Sequence, residues 1–280
     1  MHLLTIDYEE WFHIFSRNPL LTRNRWDALR PMLPEITHSL LHTLHNQKSN
    51  ATFFCLGWIA KKQPGLIREI QAAGHEIAAH SFWHQQVHKQ SRKAFSEDLK
   101  QNILTLEDIT GQKVIAYRAP AFTLFPTEGY GQEELLRLGI RFDSSVLSGM
   151  PYHGQILPNQ PFRLQEQGLI YFPVSAFKLL QHPIPYAGSG YFRLLPESFI
   201  QHKLRTGNYH MLYFHPRDLD HRMHELREFS LIEKLRFNTH TSASLPKLKR
   251  LLSQYPMMAI KQACQNKTFN LNDFVQTIHV

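Results

Sequence analysis

The chain reads as an α/β protein: an irregular (deformed) (β/α) barrel of seven or eight parallel strands, in one domain spanning residues 1–280. Three observations predict it. Short apolar runs alternate with amphipathic stretches for most of the length. The helical stretches have readable ends, and no linker, internal repeat or low-complexity segment divides the chain. With 42% hydrophobic residues, 280 positions can bury one barrel-sized core.

Strands are expected at 2–7, 51–56, 75–80, 114–118, 140–143, 170–174, 209–215 and 256–260, each a short apolar run bounded by turn residues. The first helix lies in Pro34 to Asn46, where Ile36, Leu40 and Leu44 recur at helical spacing. A second starts at Pro64 and stops at Gly74, and the run holding Phe95, Leu99, Ile103 and Leu106 stops at Gly111. Leu135, Leu136 and Leu138 precede Gly139, and the helix from Pro196 through Phe199, Ile200 and Leu204 closes at Gly207. Proline presets φ in a first turn, and glycine accepts the left-handed residue after a last one. Residues 144–195 hold prolines, glycines and no long helix, which makes the barrel irregular.

Composition narrows the setting. There is no apolar window of about 18 residues, so no transmembrane segment is expected. The N-terminus enters Leu3-Leu4-Thr5-Ile6 at once, leaving no room for a signal peptide, so a cytoplasmic protein is expected. Cys55 and Cys264 lack partners at zinc-ligand spacing and read as reduced thiols. The net charge of +8 suggests an anionic partner, but the cations are scattered, with no basic block interleaved with aromatics, so nucleic acid is not expected.

In such barrels chemistry sits at the C-terminal strand ends. Here those ends carry Asp7-Tyr8-Glu9-Glu10, His80, Arg118, Asp143-Ser144-Ser145 and His215-Pro216. Eighteen histidines would yield about one i, i+4 pair by chance, and the chain has three. His38/His42 falls on a helical pattern and decorates a surface; His80/His84 follows the apolar run Ile77-Ala78-Ala79 at a turn, the setting of half a metal site.

Taken together, several motifs resemble the polysaccharide deacetylase (NodB-homology, carbohydrate esterase) family. They are Thr5-Ile6-Asp7-Tyr8-Glu9-Glu10, Ala51-Thr52-Phe53-Phe54, Gly74-His75-Glu76-Ile77, His80-Ser81-Phe82-Trp83-His84, Tyr117-Arg118-Ala119-Pro120-Ala121-Phe122, Phe142-Asp143-Ser144-Ser145 and Tyr213-Phe214-His215-Pro216. Their order and spacing match from residue 3 to about 260. Gly190-Tyr191-Phe192-Arg193-Leu194-Leu195-Pro196 is similar to a stretch of the branch tied to bacterial exopolysaccharide and surface-glycan biosynthesis.

The resemblance implies metal-dependent removal of an acetyl group from an N-acetylated saccharide, free or linked to a nucleotide, a lipid or a polymer. His80 and His84 would hold one divalent ion; zinc suits the donors, with cobalt, nickel, manganese and iron as alternatives. Asp7 would be the general base, oriented by Arg118, and His215 the general acid, its pKa raised by Asp143 as a nearby anion. The backbone amide of Ala121 would complete an oxyanion hole. Tyr8 departs from the family's usual pair of adjacent aspartates, and a phenol is a poor ligand. Glu9, on Asp7's face of the strand, is then the expected third ligand ahead of Glu10. Trp83, Phe122 and Tyr191 are expected to stack on sugar faces, beside Trp11, Phe12 and Phe125. Ser81 would orient the turn, His88 lies at the rim, and Asp218-Leu219-Asp220 is read as a loop shaping the mouth. Two rivals stand: a hydrolase of small amides or imides on the same barrel, and a metal-free protein that binds glycan without turning it over.

Overall fold

The computed structural model describes residues 1–125, 129–164, 168–180, 182–265 and 275–278. In chain order its strands are β1 (His2–Tyr8), β2 (Thr52–Cys55), β3 (Glu76–Ala79), β4 (Ala116–Tyr117), β5 (Phe142–Asp143), β6 (Pro151–Tyr152), β7 (Gln155–Ile156), β8 (Phe162–Leu164), β9 (Ile170–Tyr171), β10 (Ala176–Leu179), β11 (His182–Pro185), β12 (His210–Phe214) and β13 (Gln276–Ile278). The helices are α1 (Leu33–Asn46), α2 (Gly57–Lys62), α3 (Pro64–Ala72), α4 (Arg92–Thr110), α5 (Gly129–Arg137), α6 (Ser189–Leu194), α7 (Glu197–Arg205), α8 (Pro216–Leu219), α9 (Leu231–Asn238), α10 (Thr241–Gln254) and α11 (Ile260–Gln265).

The central sheet has nine strands in the order β12-β1-β2-β3-β4-β5-β9-β8-β13. Every pair from β12 to β9 is parallel; β8 then runs antiparallel to β9, and β13 parallel to β8. The far ends of the parallel run approach each other past β9: the Ser175 N–H donates to the Met211 carbonyl at 3.1 Å and the Met211 N–H to Ser175 Oγ at 2.9 Å. Among the described residues no ladder forms across this seam. Pro173, which has no N–H to give, stands just before it.

The expected strand at 256–260 shrinks to a single bridge between Met258 and Leu3. Side chains take over the backbone donors there: the Ile260 N–H goes to Thr52 Oγ1 and the Lys261 N–H to Glu76 Oε2, and α11 begins. Residues 144–195 contain two small hairpins, β6–β7 and β10–β11, as the lack of a long helical pattern implies.

Both faces of the sheet are covered, so its strands read as continuous apolar runs rather than alternating ones. The period of two still sorts their side chains. Leu4, Ile6 and Tyr8 of β1 join the large core under the helices, whereas Leu3 joins an inner cluster with Phe54, Ala78, Ala116, Phe172, Met211 and Tyr213. Thr5 and Asp7 continue on the inner face above Leu3, and His80, Arg118, Ser144 and His215 take equivalent positions on neighbouring strands. That alternation gathers five distant motifs around Asp7 and Arg118.

Candidate active site

Asp7 and Arg118 form the centre. The Arg118 guanidinium is fully buried and donates to Asp7 Oδ1 at 2.6 Å, Thr5 Oγ1 at 2.9 Å, the Ser144 carbonyl at 3.0 Å and Ser144 Oγ at 2.7 Å. Its plane also rests on Phe54, 4.3 Å from the ring centroid. Burial alone would raise the Asp7 carboxyl, but Arg118, with His80 and His215, outweighs it and holds Asp7 below its ordinary value.

Beside this pair, Glu9, His80 and His84 each offer a ligand atom, and these atoms lie within 4.8 Å of one another, all three residues buried. The donors fit a divalent cation. His80 donates its Nδ1–H to the Arg118 carbonyl at 2.8 Å, which leaves Nε2 with a free lone pair. Burial lowers the His80 pKa to about 4, keeping the ring neutral as a ligand requires. Glu9 Oε2 is a buried oxygen with no hydrogen-bond partner, 2.7 Å from His84 Nε2. Burial opposes ionisation of Glu9, yet His84 and Arg217 override it and leave a standing carboxylate.

The ligand turn is held from outside. On α4, Asp98 accepts the Phe82 and Trp83 N–H groups, and Asn102, one turn on, accepts the His80 N–H and donates to the Cys55 carbonyl. Ser81 and His84 both adopt left-handed φ, 69° and 53°, so the turn depends on these anchors.

His215 caps α8. Its Nδ1–H donates to Asp218 Oδ2 at 3.0 Å, and its Nε2 faces Glu9 Oε1 at 3.2 Å and Asp7 Oδ2 at 3.9 Å. Asp218 also accepts the His215 backbone N–H, and Arg193 stands 3.9 Å from its Oδ1. Although burial opposes it, the hydrogen bond from His215 and the charges around it hold Asp218 far below the usual carboxylate range.

Three expectations are corrected here. Asp143 does not face His215: Phe142 and Ser144 point inward, so strand alternation turns Asp143 outward, beside Tyr117 and Tyr171. There it accepts from the Ser145 N–H and hydroxyl, Oδ2 has no partner, and burial pushes the acid up to about 7. The segment Asp218-Leu219-Asp220 is not merely a loop, since Asp218 holds the histidine. The available signal was His215-Pro216-x-Asp218, a proline at the first helical position and a carboxylate at the third. Trp83 is also displaced: it lies outside the cavity with the Arg23 guanidinium 4.9 Å from its ring centroid.

Glu10 turns away to accept the Met32 and Leu33 N–H groups at the start of α1, and Tyr8 points to the helix side, sharing a 2.7 Å hydrogen bond with Thr37. Asp7, Glu9, His80, His84, Ala121, Phe122, Tyr191 and His215 line one cavity of about 520 Å³. Sequence reading missed Phe15, Phe237 and Arg217 on its wall; Arg217 donates to Glu9 Oε1 at 2.7 Å.

A mostly parallel sheet with carboxylates, imidazoles and an arginine gathered at its strand ends defines the molecule as an α/β enzyme-type scaffold. Comparison with known proteins narrows the class. The polysaccharide deacetylase family model matches residues 25–126, and a domain of unknown function, DUF3473, matches residues 144–265. A peptidoglycan-N-acetylglucosamine deacetylase, PgdA, from Listeria monocytogenes is 32% identical over 85 residues, 30% of this chain and 18% of its own length. A chitooligosaccharide deacetylase from Azorhizobium caulinodans is 30% identical over 88 residues, 31% of this chain and 42% of its own. The matches thus span less than half of either relative. Among solved structures, a polysaccharide deacetylase homologue from Mycobacterium smegmatis superposes with a TM-score of 0.62 at 19% identity, covering 98% of this chain and 91% of that one. A family 4 carbohydrate esterase pseudoenzyme from Bacillus anthracis gives 0.52 at 15% identity, covering 100% and 69%. Residues 25–126 thus match the polysaccharide deacetylase family, and the fold of the whole chain is similar to that of the Mycobacterium smegmatis structure.

Proposed function

We propose that this protein is a metal-dependent N-deacetylase acting on an N-acetylated glycan or glycan precursor of surface polysaccharide assembly, the whole chain working as one catalytic unit. The observation that carries it is the convergence of Asp7–Arg118, the Glu9/His80/His84 cluster and His215–Asp218 on one cavity. When held by Glu9, His80 and His84, a divalent ion, zinc by its donor set, supplies Lewis acidity and lowers the pKa of water.

The chain's residues do the rest. Asp7, kept ionised and oriented by Arg118, takes a proton from the attacking water as general base. The Ala121 amide, on the turn at the cavity wall, offers a donor to the carbonyl oxygen as negative charge develops there. His215 gives a proton from Nε2 to the departing amine, and Asp218 fixes the tautomer through Nδ1. The products are acetate and a free amino sugar. Phe122 and Tyr191, with Phe15, Tyr213 and Phe237, make an aromatic wall suited to sugar faces, which favours a glycan over a small amide or imide.

The test measures metal content and amine release from N-acetylglucosamine oligomers for wild type, His80→Ala, Glu9→Ala and Asp7→Asn. About one ion per wild-type chain is expected, lost in the first two variants and retained in Asp7→Asn, with turnover abolished in all three. A wild type that takes up no zinc, cobalt or nickel would overturn the hydrolase reading and leave glycan binding without turnover.

A further inference from the structure

The rim of this cavity carries aliphatic side chains that the proposed chemistry does not use. Helix α9 packs through Phe237 against Phe229 and fully buries no residue: Leu231, Ile232 and Leu235 are 82%, 78% and 75% exposed. The helix is nonetheless firmly placed. Ser230 and Glu233 cap it reciprocally, and Glu233 is held in turn by Ser16 and Asn18. Phe15, next to Ser16, and Leu20, two residues after Asn18, are also exposed, with Phe15 stacked on the His84 ring. Across the mouth Leu194 of α6 is 64% exposed, and Leu194 and Leu235 both line the cavity. The solvent-facing side of a helix is normally polar.

Cations frame this apolar rim. The segment before α1 holds exposed Arg17, Arg23, Arg25 and Arg30 against a single acid, Asp27, which pairs with Lys62. Arg227, Lys234 and Arg236 lie on or beside α9, with the acids Glu225 and Glu228 flanking Arg227. Among the described residues Arg17, Arg25, Arg30 and Arg227 form no ion pair. A second copy of the chain meeting this face about a twofold axis would bring like charges together. Aliphatic leucine and isoleucine are also poor partners for sugar rings, which choose aromatics.

We infer that this rim docks on an anionic membrane surface, with Leu231, Ile232 and Leu235 entering the headgroup and acyl boundary and the arginines meeting lipid phosphates. The cavity then opens onto the bilayer, and the substrate class is an N-acetylated saccharide tethered there by a lipid. The substrate part rests on the deacetylase reading above; the docking does not.

Flotation of the full chain with vesicles tests it, using equal parts phosphatidylglycerol and phosphatidylcholine against phosphatidylcholine alone. Wild type is expected to float with the anionic vesicles, and to be released from them at high salt. Leu231→Ser/Ile232→Ser should weaken binding about tenfold or more with the circular dichroism spectrum and metal content unchanged. Arg17→Gln/Arg25→Gln, which leaves α9 intact, should erase the preference for anionic lipid. Wild type that stays with the soluble fraction, or a leucine–isoleucine variant that floats as well as wild type, overturns the inference. So does a wild-type dimer that the same variant turns into a monomer. Absence of turnover on any glycan, with vesicle binding intact, would remove the deacetylase reading alone.

Discussion

Asp143 and Asp218 differ by which side of the backbone they leave. Asp218 holds His215 Nδ1, so Asp218→Asn should lower kcat by about 10²-fold with KM little changed and the fold intact, as measured by steady-state amine release. Asp143→Asn should cost far less turnover and instead alter the pH dependence of stability. The sign follows from its titration near 7 when folded, well above its ordinary value. An unfolded chain gives up this proton first, so from about pH 4 to about pH 7 rising pH favours unfolding, and the penalty is complete above 7. The asparagine variant escapes it, gaining on wild type by on the order of 1 kcal/mol or more between pH 5 and pH 8. Equal differences in urea midpoint at the two pH values would show that Asp143 is ionised in the fold. Much of the site was legible in the sequence because strand ends are short and their motifs local: Asp7, His80, His84, Arg118 and His215 all reach the cavity or its central pair. The partner of His215 was not. Motif order says which residues come near one another, whereas the parity of a two-residue strand such as β5 decides which face each takes.

At the scale of elements, α4 acts on the site without touching substrate. Its apolar stripe through Phe95, Leu99, Ile103 and Leu106 announced the helix, and the polar residues buried on the same side, Asp98 and Asn102, went unread. They satisfy backbone donors of a turn whose conformation neither Ser81 nor His84 favours alone. Asn102→Ala should therefore destabilise the fold by about 1–3 kcal/mol, since it strands a buried amide of His80 and the Cys55 carbonyl. Metal affinity should fall about 10- to 100-fold in the same variant, read by competition with a chromogenic chelator. A stability loss with unchanged affinity would make α4 a packing element only. Gly57 adds a further constraint, because a Cβ there would stand 2.2 Å from the Phe82 ring, inside the motif that carries the ligands.

For the molecule as a whole, the proposed ligands come from the residue after β1 and the turn after β3, so a bound ion would join parts of the sheet and should stabilise all of it. Chelation should lower the melting temperature with the logarithm of free metal, removing about 4 kcal/mol of stability where the ion had stood at a thousandfold excess over Kd, and Glu9→Ala should abolish the response. The seven-strand parallel run was legible as a sequence pattern, but the hydrogen bonds between Ser175 and Met211 were not, because they depend on long-range contact rather than on any local signal. The pairing of β1 with β12 carries its own consequence. Thr5 and Leu212, joined by a hydrogen bond, are 207 residues apart. A ribosome releases Asp7 and Glu9 first and His215 only after most of the chain has emerged. Until then β1 lacks its β12 neighbour, and the growing polypeptide exposes an apolar strand edge for much of its synthesis. Maturation of the catalytic centre is thus a late event in the life of each molecule, and the interval before it is when chaperones have most to bind.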